Sequence, residues 1–407
     1  MLRGISAIVR VCVVAGLAAL TAACAGSQPR IPYTAQEAAL AQPPGYEHIR
    51  VWLDEARDYP VDFAPDLKPG EASQYLALSG GGGNGAYGAG ILNGWTQSGR
   101  RPTFNAVSGV STGALMAPFA FLGPAYDATL ADIYTGGEAE TLVAAPDFGR
   151  AAFGSSLFGG HRLLDLVSRY VTPDIVEAIA REHRAGRRLY VVTTNIDSKR
   201  GVVWNIGAIA ASGRPDSIDL IRKVLAASAS VPLVFAPQLI EVTADGREFQ
   251  EMHADGNVTT AVFTLPLKYL ALQRKTRLAG GSIYVVMNTV IEPQFSVVER
   301  STLPIVAASI DTLTTQKSEV DLAQMYAYAK ANKVDFNLTS IDPAIVKAGL
   351  GSFDTAYMRR LYDAGVETGR TGGFWRKAPL PSLPPPNTAP EESVAVARRG
   401  VPRAARS

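Results

Sequence analysis

A glycine-rich stretch near the start of the central part of the chain could hold a negative charge. Residues 79–85 read Ser-Gly-Gly-Gly-Gly-Asn-Gly, after an apolar segment and before a segment rich in small residues. Glycine adopts positive φ readily and lets the backbone approach a ligand closely, and the first N–H groups of a helix have no partner within it. The stretch therefore favours binding of an anion, or of a charge that develops during a reaction.

A second stretch, about twenty residues later, presents a serine. Ser111 lies within Gly109-Val110-Ser111-Thr112-Gly113, between an apolar segment and a helix-like one. Gly-x-Ser-x-Gly in a strand–turn–helix setting is typical of a nucleophile elbow, where the glycines relieve crowding and leave the serine Oγ exposed. In a chain with 38 glycines the pattern also arises by chance, so a plain tight turn is the alternative.

A serine nucleophile needs a base, and two types of side chain could supply it. His253 and Asp255 are two residues apart in an extended segment, and such residues share a face of a strand. Asp255-Gly256 could supply a carboxylate base or could simply form a turn. The other histidines lie in less suggestive settings: His48, His161 and His183.

Two phosphate-binding alternatives compete for the glycine stretch. Gly-x-Gly-x-x-Gly at residues 80–85 satisfies the dinucleotide-binding pattern, but that fold uses an acid about 20 residues further on. Residues 72–126 contain no Asp or Glu, although Arg100 and Arg101 could contact a 2′-phosphate, so this alternative is weakened and stays open. A nucleotide-binding P-loop needs a lysine after its last glycine, and residues 69–198 contain none.

The composition is that of a globular protein. Of 407 residues, 47% are hydrophobic and 19% charged, with a formal charge of +2. Nucleic-acid binding usually needs a strong basic excess. The chain also lacks zinc-type Cys/His spacing. We therefore expect no nucleic-acid partner and no metal.

Strand and helix patterns alternate along some 300 residues. This alternation predicts an α/β fold, a three-layer α/β/α sandwich with a largely parallel central sheet, in one domain over residues 72–377. We predict strands at residues 75–78, 104–107, 189–195, 201–206, 283–288 and 336–339. We predict helices at residues 47–57, 86–99, 112–121, 127–134, 162–170, 173–184, 217–229, 304–332 (in one or two pieces) and 354–368.

Both ends of the chain differ from this domain. Residues 1–23 carry basic, then apolar, then small residues, which is typical of a secretory signal. Residues 24–71 are expected to form a tether, best suited over 25–44, and an irregular lead-in. Residues 378–407 are rich in Pro, Ala and Arg, which predicts a disordered tail.

Cys24 follows the signal directly, and the segment resembles a bacterial lipoprotein signal. The resemblance implies acylation of Cys24, membrane anchoring through acyl chains, and location in the cell envelope as an outer-membrane lipoprotein. Thr21 departs from the preferred aliphatic residue three places before the cysteine. The alternative is an ordinary signal cleaved near residue 23, which would make the protein periplasmic or secreted.

Four blocks, taken in order, resemble the patatin-like phospholipases. They are the glycine loop at 79–85, the elbow at 109–113, the Ala-Ser-Ala-Ser-Val-Pro segment at 227–232, and Asp-Gly at 255–256. The motif glycines of these blocks are Gly80, Gly85, Gly109, Gly113 and Gly256.

The resemblance implies a hydrolase of lipid carboxyl esters, of the phospholipase A, lysophospholipase or esterase type. It implies a Ser–Asp dyad in which Ser111 is the nucleophile and Asp255 the base. The backbone N–H groups of Gly81, Gly82 and Gly83 would form the oxyanion hole, and no cofactor or metal would be needed.

Two positions depart from the family pattern. Asn84 stands where the family often has Arg or Lys, which removes a positive charge and could alter head-group preference. Asn257 stands where Gly or Ala is common, and we expect the turn to survive because Asn tolerates positive φ. A non-catalytic lipid-binding lipoprotein and a dinucleotide-binding protein are the competing classes.

Overall fold

The computed structural model describes residues 30–55, 64–144, 156, 158, 161–272, 276, 278–346 and 352–379. The predicted signal segment, Cys24 and almost all of the predicted C-terminal tail lie outside these residues. The described residues form one central sheet with helices on both faces. The predicted α/β fold with a largely parallel sheet is therefore confirmed.

The sheet contains nine strands among the described residues. In chain order they are β1 Arg50–Trp52, β2 Gln74–Leu78, β3 Ala106–Val110, β4 Arg188–Asn195, β5 Arg200–Asn205, β6 Gln238–Ala244, β7 Arg247–Asp255, β8 Ser282–Met287 and β9 Asp335–Ser340. Their main spatial order is β1-β5-β4-β3-β2-β8-β9. The five strands from β4 to β9 in that order run parallel. β1 and β5 are antiparallel to their neighbours, and the β6–β7 hairpin joins β4 in antiparallel fashion.

Twelve α-helices are described. They are α1 Ala35–Leu40, α2 Gly85–Gln97, α3 Thr112–Leu122, α4 Asp127–Thr135, α5 Glu138–Leu142, α6 Arg162–Tyr170, α7 Pro173–Arg184, α8 Ile206–Ala211, α9 Ser217–Ser228, α10 Leu267–Ala271, α11 Thr302–Asn332 and α12 Thr355–Thr371. Short 3₁₀ turns at Gly82–Asn84, Pro124–Tyr126, Gly256–Val258 and Pro343–Ile345 complete the elements.

The buried side chains form one core on each face of the sheet. Successive residues of a strand point to opposite faces, so Leu76 and Leu78 of β2 join the first core while Tyr75 and Ala77 join the second. Helices α2 to α9 and α12 cover the first face. The second face is covered more thinly, by α10 and the C-terminal half of α11.

Helix α2, which starts at the end of the glycine stretch, is clamped by α12. The two helices approach so closely that a Cβ at Gly90 would overlap the carbonyl of Tyr362, and a Cβ at Gly365 would overlap that of Tyr87. Only glycine allows this approach, which fixes the orientation of α2 and therefore of the loop before it.

The structure corrects several predicted boundaries. The strand predicted at 104–107 spans Ala106–Val110 and so runs directly into Ser111. The helical region predicted at 304–332 is one continuous helix. The helix predicted at 47–57 is wrong, because Arg50–Trp52 forms β1, whose pairing with β5 outweighs its local helical pattern.

Part of the predicted tether and lead-in is packed onto the sheet. We call residues 30–52 the N-terminal arm. Arg30 forms a bidentate ion pair with Asp197, and the Asp197 carboxylate also accepts a hydrogen bond of 2.6 Å from the Tyr33 hydroxyl. Helix α1 starts with a capping box formed by Thr34 and Glu37. Burial opposes ionisation of Asp197, but the hydrogen bonds from Arg30 and Tyr33 outweigh it and lower its pKa to about 2.

Candidate active site

Ser111 occupies a sharp turn between β3 and α3. Its φ of 55° and ψ of −124° are unusual for a residue with a side chain and cost conformational energy. A residue distant in the chain stabilises the turn: the Ser111 N–H donates a 3.0 Å hydrogen bond to the Oγ of Ser228, at the end of α9. The hydroxyl of Ser228 in turn donates to the carbonyl of Val192 on β4.

The side chains of Ser111 and Asp255 are in direct contact. The Ser111 Oγ donates a 2.6 Å hydrogen bond to the Asp255 Oδ2. Both residues are buried, with exposures of 4% and 2%. The other carboxylate oxygen, Oδ1, accepts a 2.7 Å hydrogen bond from the backbone N–H of Asn257. The carboxylate is thus held with one oxygen on the serine hydroxyl.

The segment at 227–232 connects the two residues. Ser228 accepts the hydrogen bond from the Ser111 N–H, and the carbonyl of Ser230 accepts one from the Asp255 N–H at 3.0 Å. Pro232 lies four residues after the end of α9 at Ser228, and a residue without an N–H cannot continue the helix through this segment. The sequence resemblance identified this block but gave no reason for it, and its contacts supply one.

The buried position of Asp255 changes its acidity. Burial raises the pKa of this carboxyl to about 7, because removing it from water disfavours the charged form. The hydrogen bonds from Ser111 and Asn257 and the charge of Lys317 act in the opposite direction and limit the rise. A carboxyl with a pKa near neutrality is far more basic than an ordinary aspartate and suits general-base work.

The glycine stretch borders Ser111. A Cβ at Gly80 would lie 3.2 Å from the Ser111 Cβ, and the Gly80 N–H is already bound to the carbonyl of Ala261. Gly82, with φ of 57°, begins the 3₁₀ turn that leads into α2. The backbone N–H groups of Gly81, Gly82 and Gly83 donate to none of the described residues.

The remaining motif glycines are needed for close packing around the turn. A Cβ at Gly85 would overlap the side chain of Thr112, and one at Gly113 would overlap the carbonyl of Leu78. A Cβ at Gly256 would overlap the carbonyl of Val192. Likewise, a Cβ at Gly109 would overlap the backbone of residue 113.

The two positions that depart from the family pattern have defined surroundings. The Asn84 Oδ1 accepts a 2.8 Å hydrogen bond from the hydroxyl of Tyr357 on α12, which ties the end of the glycine stretch to that helix. Asn257 lies in the right-handed 3₁₀ turn Gly256–Val258 and is not among the residues with positive φ. The tolerance of Asn for positive φ is therefore not what preserves this turn.

His253 does not reach the serine. Its side chain is fully buried and contacts the Thr193 Oγ1 at 2.9 Å and the Glu251 Oε2 at 3.1 Å. Because the ionised Glu251 carboxylate can only accept, the His253 Nε2–H donates to it, and the Nδ1 of the neutral ring accepts from the Thr193 hydroxyl. The Thr193 Oγ1 also accepts a hydrogen bond from the Trp204 Nε1. Burial lowers the pKa of His253, which keeps the ring neutral.

The same buried network links the N-terminal arm to β7, the strand that ends at Asp255. Arg50 of β1 forms two hydrogen bonds with Glu251, of 2.5 and 3.1 Å. Burial alone would raise the pKa of Glu251, but the charge of Arg50 and the hydrogen bond from His253 outweigh it and lower the pKa to about 2. The ion pair therefore links β7 to β1 across the two strands, β5 and β4, that lie between them.

Lys317 on α11 is a charged neighbour of the site that the sequence did not reveal. Its charge interacts with Asp255 and with Asp321, one turn further along the helix. Asp321 accepts hydrogen bonds from the Thr260 Oγ1 and the Ala261 N–H, at 3.0 and 2.8 Å. No local motif marks a lysine that lies 62 positions beyond its partner in the chain.

The described part of the chain holds no group of three or more His, Cys, Asp or Glu arranged to bind a metal ion. Within the same residues, every helix is too short or too polar to cross a bilayer.

Residues 76–267 match the family described as Patatin-like phospholipase. The matched segment contains Ser111, Asp255 and the glycine stretch from residue 80, and is slightly less than half of the chain. A solved structure, "Crystal structure of VipD from Legionella pneumophila", is similar at 12% identity and a TM-score of 0.35, covering 74% of this chain and 66% of that one, just under two thirds of its length. No curated protein sequence matches the chain.

Proposed function

We propose that this protein is a serine acyl hydrolase of the patatin-like phospholipase type that cleaves carboxyl esters of lipids. The observation that carries the proposal is the 2.6 Å hydrogen bond from the Ser111 Oγ to the Asp255 Oδ2, made at a strained strand–helix turn. The family match over residues 76–267 supports lipid esters as the substrate class. Phospholipase A, lysophospholipase and simple esterase activities all use this chemistry.

In the proposed mechanism Asp255 acts first as general base. It takes the proton from Ser111 as the Oγ attacks the ester carbonyl, and a tetrahedral intermediate forms. Asp255 then gives the proton to the leaving alkoxide, which departs as the alcohol or lysolipid and leaves an acyl-serine. Water attacks this ester, Asp255 accepts a proton from it, and collapse of the second intermediate returns the proton to Ser111 and releases the fatty acid.

The negative charge of both intermediates needs donors close to the serine. We assign this role to the backbone N–H groups of Gly81, Gly82 and Gly83, which donate to none of the described residues. Donors of this kind each contribute about 10²–10³-fold to the rate in enzymes where one was removed. Their positions beside α2, clamped by α12, keep them oriented before the substrate arrives.

Covalent labelling tests the nucleophile. A fluorophosphonate probe should label the wild-type protein and should not label Ser111→Ala. Equal labelling of both proteins would remove the proposal. Stoichiometric lipid binding without turnover would instead support a lipid-binding protein, and a titratable nicotinamide or flavin spectrum would support the dinucleotide alternative.

Substitution of the two candidate bases tests the dyad. Asp255→Asn should abolish ester hydrolysis. His253→Gln keeps a buried hydrogen-bonding side chain and should retain most of the activity in whatever fraction folds, because His253 does not contact Ser111. Loss of activity in folded His253→Gln with retention in Asp255→Asn would point to a histidine base.

We also propose that the N-terminal segment directs the protein to the cell envelope and that Cys24 is acylated there. The proposal depends on the order of basic, apolar and small residues before Cys24. Intact mass of the protein isolated from membranes should show diacylglyceryl and acyl additions at Cys24. Release of the protein as an unmodified chain cleaved near residue 23 would show an ordinary secretory signal.

A further inference from the structure

The N-terminal half of α11 is a helix without a covering layer. The helix has 31 residues, and no described side chain from residue 302 to 317 is buried. Burial begins only at Ser318 and continues through Leu322 and Met325. A helix in water usually depends on packing of one face for its stability, so the exposed half needs another explanation.

The exposed half carries a row of aliphatic side chains. Val306, Ile310 and Leu313 are spaced by four and three residues, which places them on one face of the helix. Their exposures are 36%, 44% and 71%. We call these three residues the apolar row. Phe295 and Val297, in the segment just before the helix, are almost fully exposed as well.

The apolar row leads along the helix to the candidate active site. Lys317 is four residues after Leu313 on the same face, and its charge interacts with Asp255. One turn later Asp321 is hydrogen-bonded to Thr260 and Ala261, in the segment that follows Asp255. Val258, three residues after Asp255, is itself 47% exposed. Exposed aliphatic surface therefore lies on both segments that border the dyad.

We propose that the apolar row inserts into the surface of a lipid aggregate and brings the dyad to its substrate there. The proposal rests on the proposed function, since a lipid ester hydrolase must reach a bond at a membrane or micelle surface. Contiguous exposed apolar surface commonly marks such contact sites. A lipid surface suits the row because it requires no matching shape.

A second copy of the chain fits the apolar row less well than a lipid surface does. The row runs from Val306 to Leu313, about 10 Å along the helix, whereas a stable protein interface usually buries about 800 Å² on each partner. Charge also favours lipid, because Asp311 is the single charged residue between residues 301 and 316. A surface that binds another protein usually has a polar rim around its apolar centre.

The test compares the full chain with Ile310→Gln/Leu313→Gln, both carrying Cys24→Ser so that acylation contributes nothing. Binding is measured by co-sedimentation with phosphatidylcholine vesicles in a Ser111→Ala background, which prevents turnover. Leu40→Gln is the matched control, since Leu40 is a 54% exposed leucine on α1. The substituted side chains are exposed, so folding should be preserved and is checked by the melting curve.

We expect the double substitution to weaken vesicle binding by roughly ten- to hundredfold, as expected for two aliphatic side chains lost from lipid, while Leu40→Gln binds as the parent does. With Ser111 restored, vesicle hydrolysis should fall in parallel and turnover of the soluble ester p-nitrophenyl butyrate should persist.

Unchanged binding by the double variant, or no vesicle binding by the parent, would overturn the proposal. So would a parent dimer, measured by light scattering, that the substitutions convert to monomer. If the parent binds vesicles through the row but hydrolyses no ester, the proposed function fails and the docking inference stands.

Discussion

Replacing Asp255 by Asn should stabilise the folded protein at neutral and alkaline pH while it removes the proposed base. Asp255 is buried against Ser111, and its pKa is raised from 3.8 to about 7. The folded state therefore holds this proton about 3 pKa units more tightly than the unfolded chain does. At about 1.36 kcal/mol per unit, the ionised carboxylate costs the fold roughly 4 kcal/mol at full ionisation.

The sign of the pH dependence follows from the raised pKa. Below pH 3.8 the carboxyl is protonated in both states, and it makes no difference to stability. As the pH rises from about 4 to 7, the unfolded chain releases the proton and the folded protein retains it, so the wild type loses stability. Above pH 7 the full cost is present.

Asn avoids this cost and can keep both hydrogen bonds. Its Oδ1 can accept the Asn257 N–H, and its Nδ2 can donate to the Ser111 Oγ. We therefore expect the free energy of unfolding of Asp255→Asn to equal that of the wild type near pH 4.5 within about 1 kcal/mol. At pH 8 it should exceed the wild-type value by up to about 4 kcal/mol.

Urea unfolding at pH 4.5, 6 and 8 measures this difference directly, and the exposed Asp311→Asn serves as a control that should follow the wild type. A difference between Asp255→Asn and wild type that does not change with pH would refute the reasoning, as would a loss of stability at pH 8. In the wild type, kcat/KM for a soluble ester should rise with a midpoint near pH 7, because only the ionised carboxylate accepts the serine proton.

Three further substitutions probe the surroundings of the dyad. Lys317→Met removes a charge that lowers the Asp255 pKa, so the acid limb of the pH–rate profile should move to higher pH; an unmoved limb would exclude this coupling. Glu251→Gln leaves a buried guanidinium unpaired and should cost about 3–5 kcal/mol of unfolding free energy in urea, whereas a loss under 1 kcal/mol would show that the network relaxes. Ser228→Ala leaves the Ser111 N–H without its acceptor and should cost about 1–3 kcal/mol and lower kcat on a soluble ester, whereas wild-type kcat would show that the turn holds itself.

The sequence identified Ser111 and Asp255 as candidate site residues, but it did not predict the contacts of their surroundings. Ser111 and Asp255 each lie at a local pattern, an elbow and an Asp-Gly turn, and local patterns can be read from a chain. Their 2.6 Å contact joins residues 144 positions apart, and no periodicity specifies that. The same limit applies to Lys317, which reaches the site only because α11 crosses the second face of the sheet.

The fold shows the same division between local and distant information. The buried strand β4 was predicted nearly to the residue because its β-branched run is continuous. β1 was missed because three residues, Arg-Val-Trp, carry too little pattern of their own, and the strand exists through its pairing with β5. The strand β9 at the other edge has a longer pattern, and its predicted residues 336–339 lie within Asp335–Ser340.

The ion pair between Arg30 and Asp197 limits the distance between the folded domain and a membrane anchor at Cys24. Residues 25–44 suit a tether by composition, yet Arg30 is already fastened to the domain. If Cys24 carries acyl chains, as we propose, only six residue steps separate Cys24 from Arg30. A fully extended chain spans about 20 Å over that number of steps. Such a short linker would keep the proposed hydrolase close to the leaflet that holds its acyl chains. Its substrates would then be the lipids of that same membrane.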